Sequence, residues 1–201
     1  MEKLNAKVNY DLLTDTALKE CGSLLLHCCC GPCATAVVER ILPFVKPTLY
    51  YYNPNTQPEE EYYKRLVELE KVAKNYGLDV IAEPYDDNEF LNVIKGYESE
   101  KEGGARCPLC FELRLRKTAQ FAKTQGYVAF ATTLTVSPHK NAQIINAIGE
   151  KIATQQGVKW IPSDWKKRNG YRRSVELSTN LSLYRQDWCG CDFSRRVQND
   201  D

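Results

Sequence analysis

Five short apolar runs alternate with longer amphipathic ones, and this alternation most limits the folds open to the chain. The runs Ser23–His27, Thr48–Tyr52, Leu78–Glu83, Tyr127–Leu134 and Val158–Ile161 are rich in Leu, Val, Ile, Tyr and Thr. Such residues suit a pleated, half-buried surface, so each run is expected to be a strand. Between them, Glu59–Tyr76 sets Tyr62, Leu66, Leu69, Ala73 and Tyr76 on one helical face. A second helix, from Asn141 to about Gln156, aligns Ile145, Ile148 and Ile152. Gly77 and Gly157 stand where helices end in a left-handed residue. Strand–helix alternation predicts an α/β fold: one domain over residues 1–201, with a mostly parallel, Rossmann-like sheet of about five strands and flanking helices. A short N-terminal extension and a C-terminal tail are expected outside it. In such sheets sites form beyond the carboxyl ends of the strands. The polar segment from Ser99 to Arg106 is the best candidate for a mobile connection.

The net charge is +1, so any nucleic-acid role needs a local basic patch. The first residues carry no long apolar stretch, and no run approaches the ~20 apolar residues of a membrane span. A cytoplasmic location with no membrane partner is expected. Nine cysteines are many for such a chain. A reducing compartment disfavours a disulfide framework, which leaves metal binding and catalytic thiols as the leading explanations.

Eight of the nine fall into three groups. His27-Cys28-Cys29-Cys30-Gly31-Pro32-Cys33 ends the first strand and opens a helix, with Pro32 suited to the first turn. Arg106-Cys107-Pro108-Leu109-Cys110 also opens a helix, with Phe111, Leu115, Ala119 and Ala122 as its apolar stripe. Backbone N–H groups at helix starts favour thiolates. Cys-x-x-Cys alone fits zinc, a redox dithiol or a cluster. Joined to an adjacent pair upstream it offers four thiolates, which suits a cubane cluster, while two cysteines from each group would also serve zinc. Cys189-Gly190-Cys191 is too short for a common zinc knuckle. An extended chain spaces two such Cα atoms about 6.6–7.2 Å apart. Disulfide closure therefore requires a bend, and Gly190 is the residue best able to make it. A redox role is preferred for this pair, and an inert buried thiol for Cys21.

Together, His27-x-Cys29-Cys30-x-Pro32-Cys33, Tyr52-Asn53-Pro54-Asn55, Arg106-Cys107-x-x-Cys110-Phe111-x-x-Arg114 and Tyr184-Arg185-Gln186-x-x-Cys189-Gly190-Cys191 resemble the cobalamin-independent epoxyqueuosine reductases of the QueH type. The resemblance runs from about Leu24 to Ser194. It implies reduction of the epoxide of epoxyqueuosine, at the wobble position of tRNA, to the alkene of queuosine. It further implies a [4Fe–4S] cluster on Cys29, Cys30, Cys107 and Cys110, a redox-active pair in Cys189 and Cys191, and a second metal beside the cluster. For that mononuclear metal, expected to be iron, Cys33 is the candidate thiolate and Asp86 the candidate carboxylate. Cys28 holds a position the pattern leaves open. His27 is a candidate proton donor, with a hydrogen-bonded strand-end histidine as the more ordinary reading. Lys166, Lys167, Arg172 and Arg173, around Tyr171, form the candidate tRNA-binding run. A separate electron donor is required. Two rivals are an adenylylsulfate-type iron–sulfur reductase, for which no glycine-rich phosphate loop is found, and a non-catalytic zinc-stabilised RNA-binding module.

Overall fold

The computed structural model describes residues 8–195. The N-terminal extension and the end of the C-terminal tail lie outside these. Five strands form one all-parallel sheet: β1 (Leu24–His27), β2 (Pro47–Tyr51), β3 (Val80–Ala82), β4 (Ala129–Thr132) and β5 (Lys159–Trp160). Their order is β3-β2-β1-β4-β5. The chain winds outward from β1 in one direction, then returns to pair β4 on its other side. The loops leaving β1 and β4 therefore diverge at the carboxyl edge, where this architecture opens a crevice.

Seven α-helices flank the sheet among the described residues: α1 (Tyr10–Lys19), α2 (Gly31–Ile41), α3 (Glu59–Tyr76), α4 (Asn88–Val93), α5 (Arg106–Thr124), α6 (Ala142–Gln156) and α7 (Gly170–Asn180). Side chains alternate along β1 because a strand repeats every two residues. Leu24 and Leu26 join Val37, Val38, Leu69 and Val72 in one core, under α2 and α3. Leu25 joins Phe111, Leu115, Ile145 and Ile152 in the other, under α5 and α6. The predicted glycine caps form: Gly77 and Gly157 are left-handed, and their N–H groups return to carbonyls of α3 and α6. Three helices, α1, α4 and α7, go beyond the sequence expectation. Helix α1 exposes Leu12 and Leu13, so it shows no clean apolar stripe. Helix α4 has only six residues. The connection around Ser99 is tied down: the Arg106 guanidinium donates to the carbonyls of Tyr97, Glu98 and Glu100.

Helix α2 begins close against α3. A Cβ on Gly31 would sit 2.5 Å from the Glu68 carbonyl oxygen, and backbone yields little. Gly31→Ala is expected to cost about 1–3 kcal/mol by forcing the helices apart. The urea midpoint should fall with little change in m-value. An unchanged midpoint would show that the two helices separate freely.

Candidate metal centre

The carboxyl edge of the sheet gathers the first cysteine group. Cys28 continues the strand alternation: it faces the core of Leu24 and Leu26, and its thiol donates to the Leu26 carbonyl at 3.3 Å. Cys29 turns the other way. Its N–H donates to Thr133 Oγ1 at 3.2 Å, which ties the loop after β1 to the loop after β4. Cys30 is the N-cap of α2, and Cys33 follows one turn in, behind Pro32. The sulfurs of Cys29, Cys30 and Cys33 all lie within 4.8 Å of one another.

Three sulfurs this close compete for ionisation. Hydrogen bonds from Cys30 and Cys33 hold Cys29 well below the usual thiol range. The same hydrogen bond to Cys29 pushes Cys30 up to about 12 and raises Cys33 well above its ordinary value. All three ionise together only with a cation among them, so the donor set fits a metal or cluster.

The second group starts α5. Cys107 Sγ accepts from the Gly103 N–H at 3.2 Å. Cys110 is buried beside Phe90, Ile94 and Cys191, and burial pushes it up to about 11. The third group lies in a strap, residues 184–195, laid across α3 and α5. Buried Arg65 pairs with Glu61 at 2.6 Å and donates to the Cys189 carbonyl at 3.0 Å. Arg106 donates to the Phe193 carbonyl at 3.1 Å, and Gln57 N–H to the Gly190 carbonyl at 2.9 Å. Gly190 has φ of 105°, and a Cβ there would meet Arg65 at 2.7 Å. Glycine is therefore required both for the bend and for the close approach. The nine cysteines are free thiols.

These pieces share one cavity of about 180 Å³, lined among others by Cys29, Cys33, Arg114, Lys140, Tyr171 and Cys189. Cys189 also lines the adjoining clefts that hold Cys107, Cys110 and Cys191. All three cysteine groups thus converge. Asp86 does not line this cavity. It is exposed, and its carboxylate accepts from the backbone and side chain of Asn88. His27 is buried and spans three strands. Its Nε2 donates to the Tyr52 carbonyl at 3.1 Å, so Nδ1 accepts from Thr132 Oγ1 at 2.8 Å. Burial, then Arg114, lowers its pKa to about 3, which keeps it neutral. The ordinary reading of His27 holds.

The basic run divides. Lys166 donates to the carbonyls of Thr135 and Lys140 and pairs with Asp164. Arg173 pairs with Glu39 and Glu176. Lys167 and Arg172 are exposed. Tyr171, between them, lines the thiol cavity, with Arg185 over its ring at 5.3 Å.

Lys140 and Arg65 have no role in the sequence reading, Gln186 and Arg114 enter it only as motif positions, and Trp188 enters it only as a shield of the Cys189–Cys191 pair. Lys140 lies in the loop after β4, where the topological switch could have flagged it. Arg65 looks like one charge on a solvated helix face, yet it is buried. Gln186 Oε1 and Trp188 Nε1 are buried in the wall without a protein partner. Burial works against the charge on Arg114, but the sulfurs of Cys110, Cys189 and Cys29 outweigh it and raise its pKa.

A doubly wound parallel sheet with a thiol-rich crevice at its switch point defines an α/β protein whose cysteines can hold a metal or cluster. Residues 24–197 match the family model described as epoxyqueuosine reductase QueH. The epoxyqueuosine reductase QueH of Streptococcus pyogenes serotype M1 is 38% identical, covering 98% of this chain and 82% of that one. The Staphylococcus epidermidis QueH is 36% identical over 98% of this chain and 89% of its own length. That of Thermotoga maritima is 38% identical, over 86% and 90% respectively. The chain belongs to the QueH family of epoxyqueuosine reductases, and neither rival reading is favoured.

Proposed function

We propose that the chain reduces the epoxide of epoxyqueuosine in tRNA to the alkene of queuosine, in the cytoplasm, with a [4Fe–4S] cluster on Cys29, Cys30, Cys107 and Cys110. The observation that carries this is the shared cavity: thiols from three separate motifs meet beside an aromatic residue of the basic run. The cluster would supply single electrons, and a mononuclear iron on Cys33 would supply Lewis acidity. Epoxide reduction consumes two electrons and two protons and releases water. Oxidation of the Cys189–Cys191 dithiol to a disulfide yields two electrons and two protons, so the pair balances one turnover. A separate electron donor then restores the dithiol. Tyr171 offers a stacking surface to a splayed base. Gln186 and Trp188 offer it one acceptor and one donor. No helix of the described residues is long and apolar enough to cross a membrane.

Incubating anaerobically reconstituted protein with epoxyqueuosine-containing tRNA and a strong reductant should yield queuosine by nucleoside mass spectrometry. Iron-loaded protein that leaves the epoxide intact would overturn the assignment.

Of the basic run, the exposed Lys167 and Arg172 are proposed to meet tRNA phosphate, since Lys166 and Arg173 are engaged within the fold. Lys167→Ala with Arg172→Ala is expected to weaken tRNA binding and to reduce the salt slope by roughly 2, about one per phosphate contact. An unchanged slope would place the footprint elsewhere.

A further inference from the structure

Three arginines are almost wholly buried, each about 2% exposed, and two of them donate from both terminal nitrogens. Arg65 has the Glu61 carboxylate and the carbonyls of Cys189 and Trp188. Arg106 has the carbonyls of Tyr97, Glu98, Glu100 and Phe193. Arg114 is different. Its Nε reaches the Cys110 carbonyl only at 3.4 Å, and its Nη1 meets the neutral Asn53 Oδ1 at 3.3 Å. Its Nη2 is buried with no partner. Among the described residues it makes no ion pair with a carboxylate. A buried charge in this condition is costly and calls for an anion.

The cavity wall shows where that anion belongs. Arg114 lines the cavity with Cys29, Cys33 and Cys189, one turn beyond Cys110 on α5. A second cation, the half-buried Lys140, lines the same cavity and the cleft beside Cys107. Among the described residues Lys140 likewise pairs with no carboxylate. The neighbourhood thus holds two unmatched cations and several thiols. A cubane held by four thiolates carries net negative charge, and each added electron makes it more negative.

We infer that Arg114 and Lys140 are the fixed counter-charges of the iron–sulfur group: they stabilise its reduced form and set its reduction potential. Arg114 is placed to donate an N–H to a sulfur of the group through the otherwise unmatched Nη2. Asn53 aims the guanidinium, for its own Nδ2 donates to the Cys28 carbonyl at 2.9 Å and so fixes Oδ1 toward Arg114. This inference rests on the proposed cluster but adds to it, since the thiol set alone does not fix a potential. The one-electron step adds an electron from an external reductant to the group, with no proton taken up by either cation.

The test is a spectroscopic redox titration of reconstituted protein with dithionite, read beside iron and sulfide content. Arg114→Lys keeps the charge and should stay near the parent potential. Arg114→Met and Lys140→Met should each make reduction at least tenfold less favourable, about 59 mV lower for one electron. Iron absent from the parent protein would sink the cluster proposal itself. Iron present, with an unchanged potential in Lys140→Met or equal shifts in Arg114→Lys and Arg114→Met, would overturn the counter-charge role alone. Should Arg114→Met fold without holding iron, Lys140→Met decides.

Discussion

Cys29→Ser, Cys30→Ser, Cys107→Ser and Cys110→Ser are each expected to strip iron and sulfide from the protein, while Cys28→Ser keeps both. Serine oxygen is a hard donor and a poor match for iron–sulfide chemistry. The contrast within the cysteine triplet is the sharper half of this result. Cys28 stands one residue from Cys29, but strand alternation turns its sulfur into the leucine core. Burial, with the neighbouring charges of Cys29 and Cys30, raises its pKa well above the ordinary thiol value. Serine at position 28 should lower stability modestly, because a hydroxyl replaces a small apolar group in a packed site. Iron content by mass spectrometry and a dithionite-bleachable absorption check the set. Loss of iron in Cys28→Ser with retention in Cys29→Ser would reverse the assignment. Zinc without iron or sulfide would favour the zinc-stabilised module.

The second large effect is expected at the strap. Cys189→Ser and Cys191→Ser should retain iron yet lose turnover by at least about a hundredfold, about 2.7 kcal/mol of barrier. The two thiols are unequal. Cys189 faces the cavity, where a substrate atom can reach it. Cys191 is buried against Cys110, and burial pushes its pKa up to about 12. That difference leaves Cys189 as the thiol open to the cavity and Cys191 as the buried member of the pair. Thiol trapping followed by mass spectrometry should find these two, and no others, protected after a single turnover without added reductant. Iron loss in either variant would move the pair into a metal site. Normal turnover in both would make them bystanders.

Much of the architecture is legible in the sequence because it depends on local patterns. Strand composition, the stripes of α3 and α6, and the caps at Gly77 and Gly157 need no tertiary information. The placing of Cys29 and Cys30 at a strand-to-helix turn is local in the same sense. What the sequence leaves out is tertiary. Lys166 and Arg173 read as free charges in a basic run, yet the fold brings carbonyls and Glu39 to them from distant segments. Asp86 follows the third strand as a site residue should, but β3 is an edge strand separated from β1 by β2, and Asp86 does not line the cavity. Helix α1 is invisible because its apolar residues fall on both faces. The unmatched charge of Arg114 is legible only once every neighbour is known.

All of this chemistry stands on one rim of the sheet. The opposite rim, where Gly22, Lys46, Asp79, Gly126 and Val158 lead into the strands, is spared. That division leaves a working face and a handling face on one small molecule. A surface tether or affinity tag set into the turn at Gly126 would present the thiol crevice outward to an electrode or to immobilised tRNA.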